Sequence, residues 1–426
     1  MSDQPGTDPA PGLQAAPGAG DSSGAGDEPD VEGATSGGGR SLMGQASTGR
    51  PSASRVIQLL AEPIMAIVFA LIVGGIGIVA FSGLLPDHSA FDLGLPIAAY
   101  GALIGGVASL NGLTSTLVYA TPLVLAGLGV AIGFRAGLFN IGGRGQFLMG
   151  AVGAMAVATA IGKDAGPWIT IPAALLAGAM LGAFAGFIPG FLKATSGAHE
   201  VVTTIMLNYV FVFVTYWAIS GPLALPRAPQ PITADVTSLN AGLPIILGRD
   251  GNLGILIALL AIPIMWFLLF KTTIGFEIRA AGMSPDAARY SGMKTRQLIV
   301  VTMSLAGFLC GLAGATTLLG VVHRMAPGYD TTIGFDAITV ALLGRSNPIG
   351  VCLAALLLGA MRAGAQVMQI QAGVPAELVD ALQAIILLFL IVNIFRRLMS
   401  NIRRPGRRKG MQDALNDAVL DRGGAQ

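Results

Sequence analysis

The chain has 426 residues, of which 53% are hydrophobic and only 11% charged, with a formal net charge of +2. An ordinary soluble domain carries roughly a quarter charged residues, so there is too little charge here to cover a soluble surface of this size. A balance so near neutral gives no sign of a nucleic-acid partner, and the two cysteines, Cys310 and Cys352, lie inside apolar runs and read as inert buried thiols.

Residues 1–54 are rich in Gly, Ser, Ala, Pro and Asp and poor in aromatic and branched side chains. Such a segment cannot bury enough surface to order itself and reads as a disordered cytosolic tail. The first apolar run begins only after residue 55, further in than a cleavable signal peptide, so the first span is expected to remain as a helix. Residues 55–397 then form the membrane domain, and residues 398–426 a basic cytosolic tail.

The apolar runs predict about ten membrane-spanning helices. In chain order they are Val56–Phe81, Leu117–Phe134, Phe147–Ile161, Trp168–Leu192, Glu200–Ile219, Leu253–Phe270, Leu298–Val321, two shorter pieces at Phe335–Leu343 and Ile349–Met361, and Leu378–Phe395. Asp92–Leu110, broken by Pro96 and several glycines, reads as an interfacial or partly inserted segment, and Gly221–Gly251 as an extracytoplasmic loop. The 60 glycines suit close helix packing in a bilayer. The fold class is therefore all-α, a polytopic helix bundle with broken helices. Cations cluster after the last span (Arg396, Arg397, Arg403, Arg404) and in the Lys271–Arg296 loop, which places both of those regions, and both termini, in the cytosol.

Nothing in the chain supplies energy or bond-making chemistry. There is no G-x-x-x-x-G-K-[ST] phosphate loop, and Gly75-Ile-Gly77 lies inside a span with no strand before it. His88, His199 and His323 fall on different sides of the expected topology, so they build no metal site. The chain is expected not to be an enzyme and to hold no cofactor. Ionisable groups at membrane depth are few. Arg362 and Asp336 are the candidates, Asp336 also being placed to favour a helix N-terminus. That scarcity weakens an ion-coupled mechanism, which stays open as an alternative.

One cytosolic stretch stands out. In Gly275-Phe-Glu277-Ile-Arg279-Ala-Ala281-Gly282-Met-Ser284-Pro285-Asp-Ala287-Ala288-Arg-Tyr-Ser-Gly292, Ser284 and Pro285 start a short helix and Gly292 ends it. This segment resembles the coupling helix of ABC importer permeases of the simple sugar, branched-chain amino acid and nucleoside family. Gly137-Leu-Phe-Asn140-Ile-Gly142-Gly143-Arg144-Gly145-Gln146 is similar to that family's Asn-Ile-Gly motif, Gly197-Ala-His199-Glu200 through Asn208-Tyr209 to its entry into the fifth span, and Gly334-Phe-Asp336 through Gly344, with Pro348 and Gly350, to a late helix break. The likeness covers roughly residues 56–397 and is nearest to the nucleoside-type permeases. One departure is Arg144, where the family often has Glu, so no role of that carboxylate carries over.

The resemblance implies a membrane permease in the bacterial cytoplasmic membrane, working with a second related permease, ATP-binding subunits and an extracytoplasmic substrate-binding lipoprotein on a small-molecule substrate. It assigns ATPase coupling to Glu277, Arg279, Ala281, Gly282, Ala287, Ala288 and Gly292. For the substrate pathway, uncharged donors and acceptors suit a neutral, hydroxyl-rich ligand, and the candidates are Asn140, Gln146, Thr203, Thr204 and Asn208. The competing reading is that these groups bond neighbouring helices. A sugar or a branched-chain amino acid remains an alternative substrate.

Overall fold

The computed structural model describes residues 68, 69, 71–80, 93–329, 331–385 and 388. The tails expected at 1–54 and 398–426, His88, the start of the first span and most of the last one lie outside those residues. Among the described residues the chain is almost wholly helical. In order the helices are α1 (Leu71–Ala80), α2 (Leu95–Ala108), α3 (Leu110–Arg135), α4 (Gly143–Ile161), α5 (Pro167–Ser196), α6 (Glu200–Ser220), α7 (Gly254–Lys271), α8 (Thr273–Met283), α9 (Pro285–Tyr290), α10 (Thr295–Thr317), α11 (Ile333–Leu343), α12 (Pro348–Ala372) and α13 (377–385). Seven of them, α3, α4, α5, α6, α7, α10 and α12, are long and apolar enough to cross a membrane. α1, α2 and α11 are shorter apolar helices.

The centre of the bundle is α3, whose Leu123–Gly133 stretch is buried on every side. A helix apolar all round belongs in the interior of a bundle. α5 and α10 form the tightest seam. A Cβ placed on Gly311 would lie 2.7 Å from the Cα of Gly182, and one on Gly182 would lie 2.5 Å from the carbonyl oxygen of Gly307. The backbones touch there, and no side chain fits. Gly311→Val is therefore expected to force the helices apart at a cost of at least about 1–3 kcal/mol. A thermal melt of the detergent-solubilised protein would show the loss as a lowered Tm, with Gly311→Ala intermediate. An unchanged Tm for the valine variant would disprove the seam.

The structure corrects three boundaries. Within Asp92–Leu110, Leu95–Ala108 forms a helix that buries Leu95, Ala99 and Gly106 and packs on α12. Ser109 breaks it from α3, with ψ 154° and its hydroxyl accepting from Gly112 N at 2.9 Å. The piece expected to stop at Met361 runs on to Ala372 as a full-length span. Arg362 and Gln366 had ended the apolar run, but each points its polar end into a cavity. The Gly275–Gly292 segment holds a second helix, α8, ahead of the short one expected from Pro285. α8 is capped by the Thr272 hydroxyl on Gly275 N, and α9 by Ser284 on Ala287 N.

The Gly221–Gly251 loop is ordered. It carries a 3-10 turn at Thr237–Leu239 and a short antiparallel hairpin, β1 (Ile245–Leu247) with β2 (Gly251–Asn252). Backbone bonds tie it to the end of the α10 segment: Thr233 N donates to Met325 O, Val236 N to His323 O and Leu243 N to Leu319 O. Two landmarks define the two faces of the bundle. On one, the Arg135 Nε at the end of α3 donates to Ser346 O in the α11–α12 turn at 2.9 Å. On the other, the hairpin turn at Gly248 rests on Thr114 near the start of α3.

Candidate functional site

Of the five residues expected to line the substrate pathway, Asn140, Gln146, Thr204 and Asn208 are buried and Thr203 is half-buried. Asn140 Oδ1 accepts from Gly142 N, and its amide donates to Gln146 Oε1 at 3.1 Å. Asn208 Oδ1 accepts from Gly145 N at 2.9 Å, while its amide donates to Ile141 O. The Thr204 hydroxyl donates to Glu200 O, and that of Thr203, half-buried, to the backbone oxygens of His199 and Glu200. This network satisfies the backbone groups freed where the chain turns from α3 into α4 and pins that turn to α6. The Glu200 carboxylate, paired with Lys193, guards its edge. Asn208→Ala should leave Gly145 N unpartnered and cost about 1–3 kcal/mol, read as a lowered Tm in detergent. A melt identical to wild type would show that the turn does not depend on it.

A cavity with a volume near 650 Å3 lies elsewhere, between α3, α4, α11, α12 and α13. Its polar groups come from five separate segments. Arg362 of α12 bonds the Asp336 carboxylate of α11 and the Thr332 hydroxyl, and lies 3.8 Å from Asp380. Gln366, one turn further along α12, bonds the Tyr119 hydroxyl of α3 at 2.5 Å. Arg144 enters from the start of α4 with its guanidinium over the Phe335 ring at 5.9 Å. By the rise of an α-helix, Arg362 stands about 21 Å from the Pro348 end of α12 and about 15 Å from the Ala372 end, so it sits at membrane depth. Charge at that depth is costly and is retained where it faces a polar interior or a partner.

Sequence reasoning singled out Arg362 and Asp336 but did not join them. They are 26 positions apart, and only the α11–α12 hairpin brings them together. Tyr119, Thr332 and Gln366 escaped notice altogether. The one available signal was a spacing: Arg362 and Gln366 are four apart in an apolar helix, which places them on one face.

The α8–α9 segment packs against the bundle from one side and stands free on the other. Ala281 and Ala288 are buried, Glu277, Arg279 and Gly282 half-buried, and Ala287 and Gly292 exposed, the last with φ +84°. A Cβ on Gly282 would lie 2.0 Å from Arg135 O, so α8 sits directly on the end of α3. Arg135 and Arg279 flank the Phe270 ring at 5.7 and 5.2 Å from its centroid. Met283 and Tyr290 project outward, 83% and 94% exposed. Across the molecule, on the hairpin face, Asp235 is held at a pKa of about 2, chiefly by the Thr237 hydroxyl it accepts from, with Arg324 adding to the effect.

Residues 112–391 match the family of branched-chain amino acid transport system permease components. The chain belongs to that permease family. The match takes in every residue of the central cavity and of the α8–α9 segment. Among curated proteins, the chain is similar to the guanosine ABC transporter permease protein NupP of Bacillus subtilis, 41% identical over 73% of this chain and 92% of the relative. It is similar also to the nucleoside ABC transporter permease protein NupB of Lactococcus lactis, 35% identical over 79% and 92%, and to the glucose ABC transporter permease protein TsgB13 of Haloferax volcanii, 33% identical over 78% and 87%. As a member of the permease family, the chain is an all-α, multi-pass membrane protein.

Proposed function

We propose that this chain is the translocating subunit of an ATP-driven importer and carries a nucleoside across the cytoplasmic membrane. The observation that carries the reading is the polar cavity at membrane depth, walled by Arg362, Gln366 and Tyr119, with Asp336 bonded to Arg362, in an otherwise apolar bundle. Names borne by the relatives support a nucleoside first, and a simple sugar as the second reading.

ATP hydrolysis belongs to separate subunits that grip α8 and α9. Met283 and Tyr290 are large apolar side chains left in the open on a short helical pair, the form of a handle for a partner's groove. Arg135, Arg279, Arg289, Lys294 and Arg345 gather near the face that carries α8 and α9, which makes that face cytosolic by the positive-inside rule. The hairpin face is then outside, where a binding lipoprotein delivers substrate, and a second related permease completes the assembly. The pathway role of Asn140, Gln146, Thr203, Thr204 and Asn208 is indirect: they hold the α3–α4 turn, so that a push on α8 reaches α4 and α6 as a unit.

The test is uptake of radiolabelled guanosine, glucose and leucine by cells producing the whole importer. Guanosine uptake that vanishes when the ATP-binding subunit is deleted is the expected result. Uptake that persists without any such subunit would overturn the reading, and leucine as sole substrate would overturn the choice of ligand.

A further inference from the structure

Two cavities meet at a single pair of side chains. The central cavity of about 650 Å3 and a second one of about 430 Å3 share two lining residues, Tyr119 and Gln366. The second cavity lies on the hairpin face, among Thr237, Arg249 and Asp250. Depth along the helices gives the same order. Counting from the Arg135–Ser346 face, Arg362 is about 21 Å up α12, Tyr119 about 24 Å up α3 and Gln366 about 27 Å up α12. Beyond them come the hairpin residues. The Gln366 amide donates to the Tyr119 hydroxyl at 2.5 Å, between residues 247 positions apart in the chain.

We propose that Tyr119 and Gln366 form the neck between an outer vestibule and the central cavity, and that the Gln366 carboxamide selects the ligand that passes. This rests on the import reading above. A ligand moving from one cavity to the other must part the two side chains and so remove their hydrogen bond. Gln366 is exposed and Tyr119 half-buried in the open neck, and a ligand filling the neck excludes solvent from both, so the one that passes readily replaces the hydrogen bond it breaks. A carboxamide presents one acceptor and one donor side by side in a plane. Its complement is a planar edge with a donor beside an acceptor, as in the lactam of a purine or pyrimidine base. Sugar hydroxyls lack that rigid pairing, and aliphatic amino acid side chains offer nothing to it. A site built around a hydrogen bond rejects ligands that lack the matching group far more strongly than a site built on shape alone.

Two measurements on the full chain within its importer decide the matter. In a background lacking Cys310 and Cys352, Ala365→Cys places a thiol on the wall of the central cavity. A membrane-impermeant maleimide added outside should label it slowly, and at least tenfold faster once Tyr119→Ala opens the neck. Equal rates would overturn the neck. The second arm compares uptake of guanosine and inosine. Gln366→Leu should cut both by tenfold or more. Gln366→Glu replaces the donor with a second acceptor, which matches the two adjacent N–H groups of guanine and not the single one of hypoxanthine. The guanosine-to-inosine ratio should rise about tenfold. An unchanged ratio would overturn the selective role. A wild-type importer that carries sugars and no nucleoside would overturn the substrate reading and base-edge selection with it, while the labelling arm would still decide the neck.

Discussion

Arg362→Leu is expected to cost about 3–5 kcal/mol of stability, because it strands the Asp336 carboxylate at membrane depth without its partner. The side chains of both residues are mostly buried, 18% and 17% exposed. The variant should accumulate poorly, melt well below wild type in detergent and show no uptake. Replacing both, Arg362→Leu with Asp336→Leu, removes the stranded charge along with its partner. A buried ion pair exchanged for apolar groups is often neutral in stability, so the double variant should recover its Tm. Its uptake should stay below about a tenth of wild type, since the cavity has lost its charged wall. Recovery of both Tm and uptake would reduce the pair to a structural role.

That pair also marks where the sequence stops being legible. Helices were readable because their apolar runs are long, and α12 was cut short for the same reason: a run-length argument treats Arg362 and Gln366 as an end, whereas a bundle treats them as an inward-facing stripe. Asn140, Gln146 and Asn208 looked like pathway groups because uncharged amides suit a neutral ligand. In three dimensions Asn140 and Asn208 bond the backbone of the α3–α4 turn, and Gln146 bonds the side chain of Asn140. The sequence offers no means of telling a spent amide from a free one, since the partners Gly142, Gly145 and Ile141 are backbone groups. The α8–α9 segment was legible from its caps, Ser284 and Pro285, but the burial of Ala281 and Ala288 was not, because it depends on where α3 ends.

Tyr290→Asp combined with Met283→Asp should leave the fold unchanged and abolish transport. Both side chains are nearly fully solvent-exposed, so the chain itself loses nothing when they change. Uptake should fall more than tenfold, substrate-stimulated ATP hydrolysis should vanish, and the ATP-binding subunit should no longer co-purify. Gly282→Leu makes the control. It should also abolish uptake, but by driving a side chain into Arg135 O and lowering the Tm. Normal uptake by the double aspartate variant, with the ATP-binding subunit still bound, would place the coupling contact elsewhere on the molecule.

The turn between α11 and α12 puts two consecutive residues, Arg345 and Ser346, at φ +52° each, without glycine's freedom to sit there. Each such residue holds about 1–3 kcal/mol of backbone strain. Arg135 grips the carbonyl of the second, and α8 lies against the backbone of that same arginine. The turn is therefore a cocked latch, set where the handle meets the bundle. Under the proposed coupling, a movement of α8 that loosens this grip would have stored strain on its side, so releasing the α11–α12 hairpin would take less work than tearing apart packed helices.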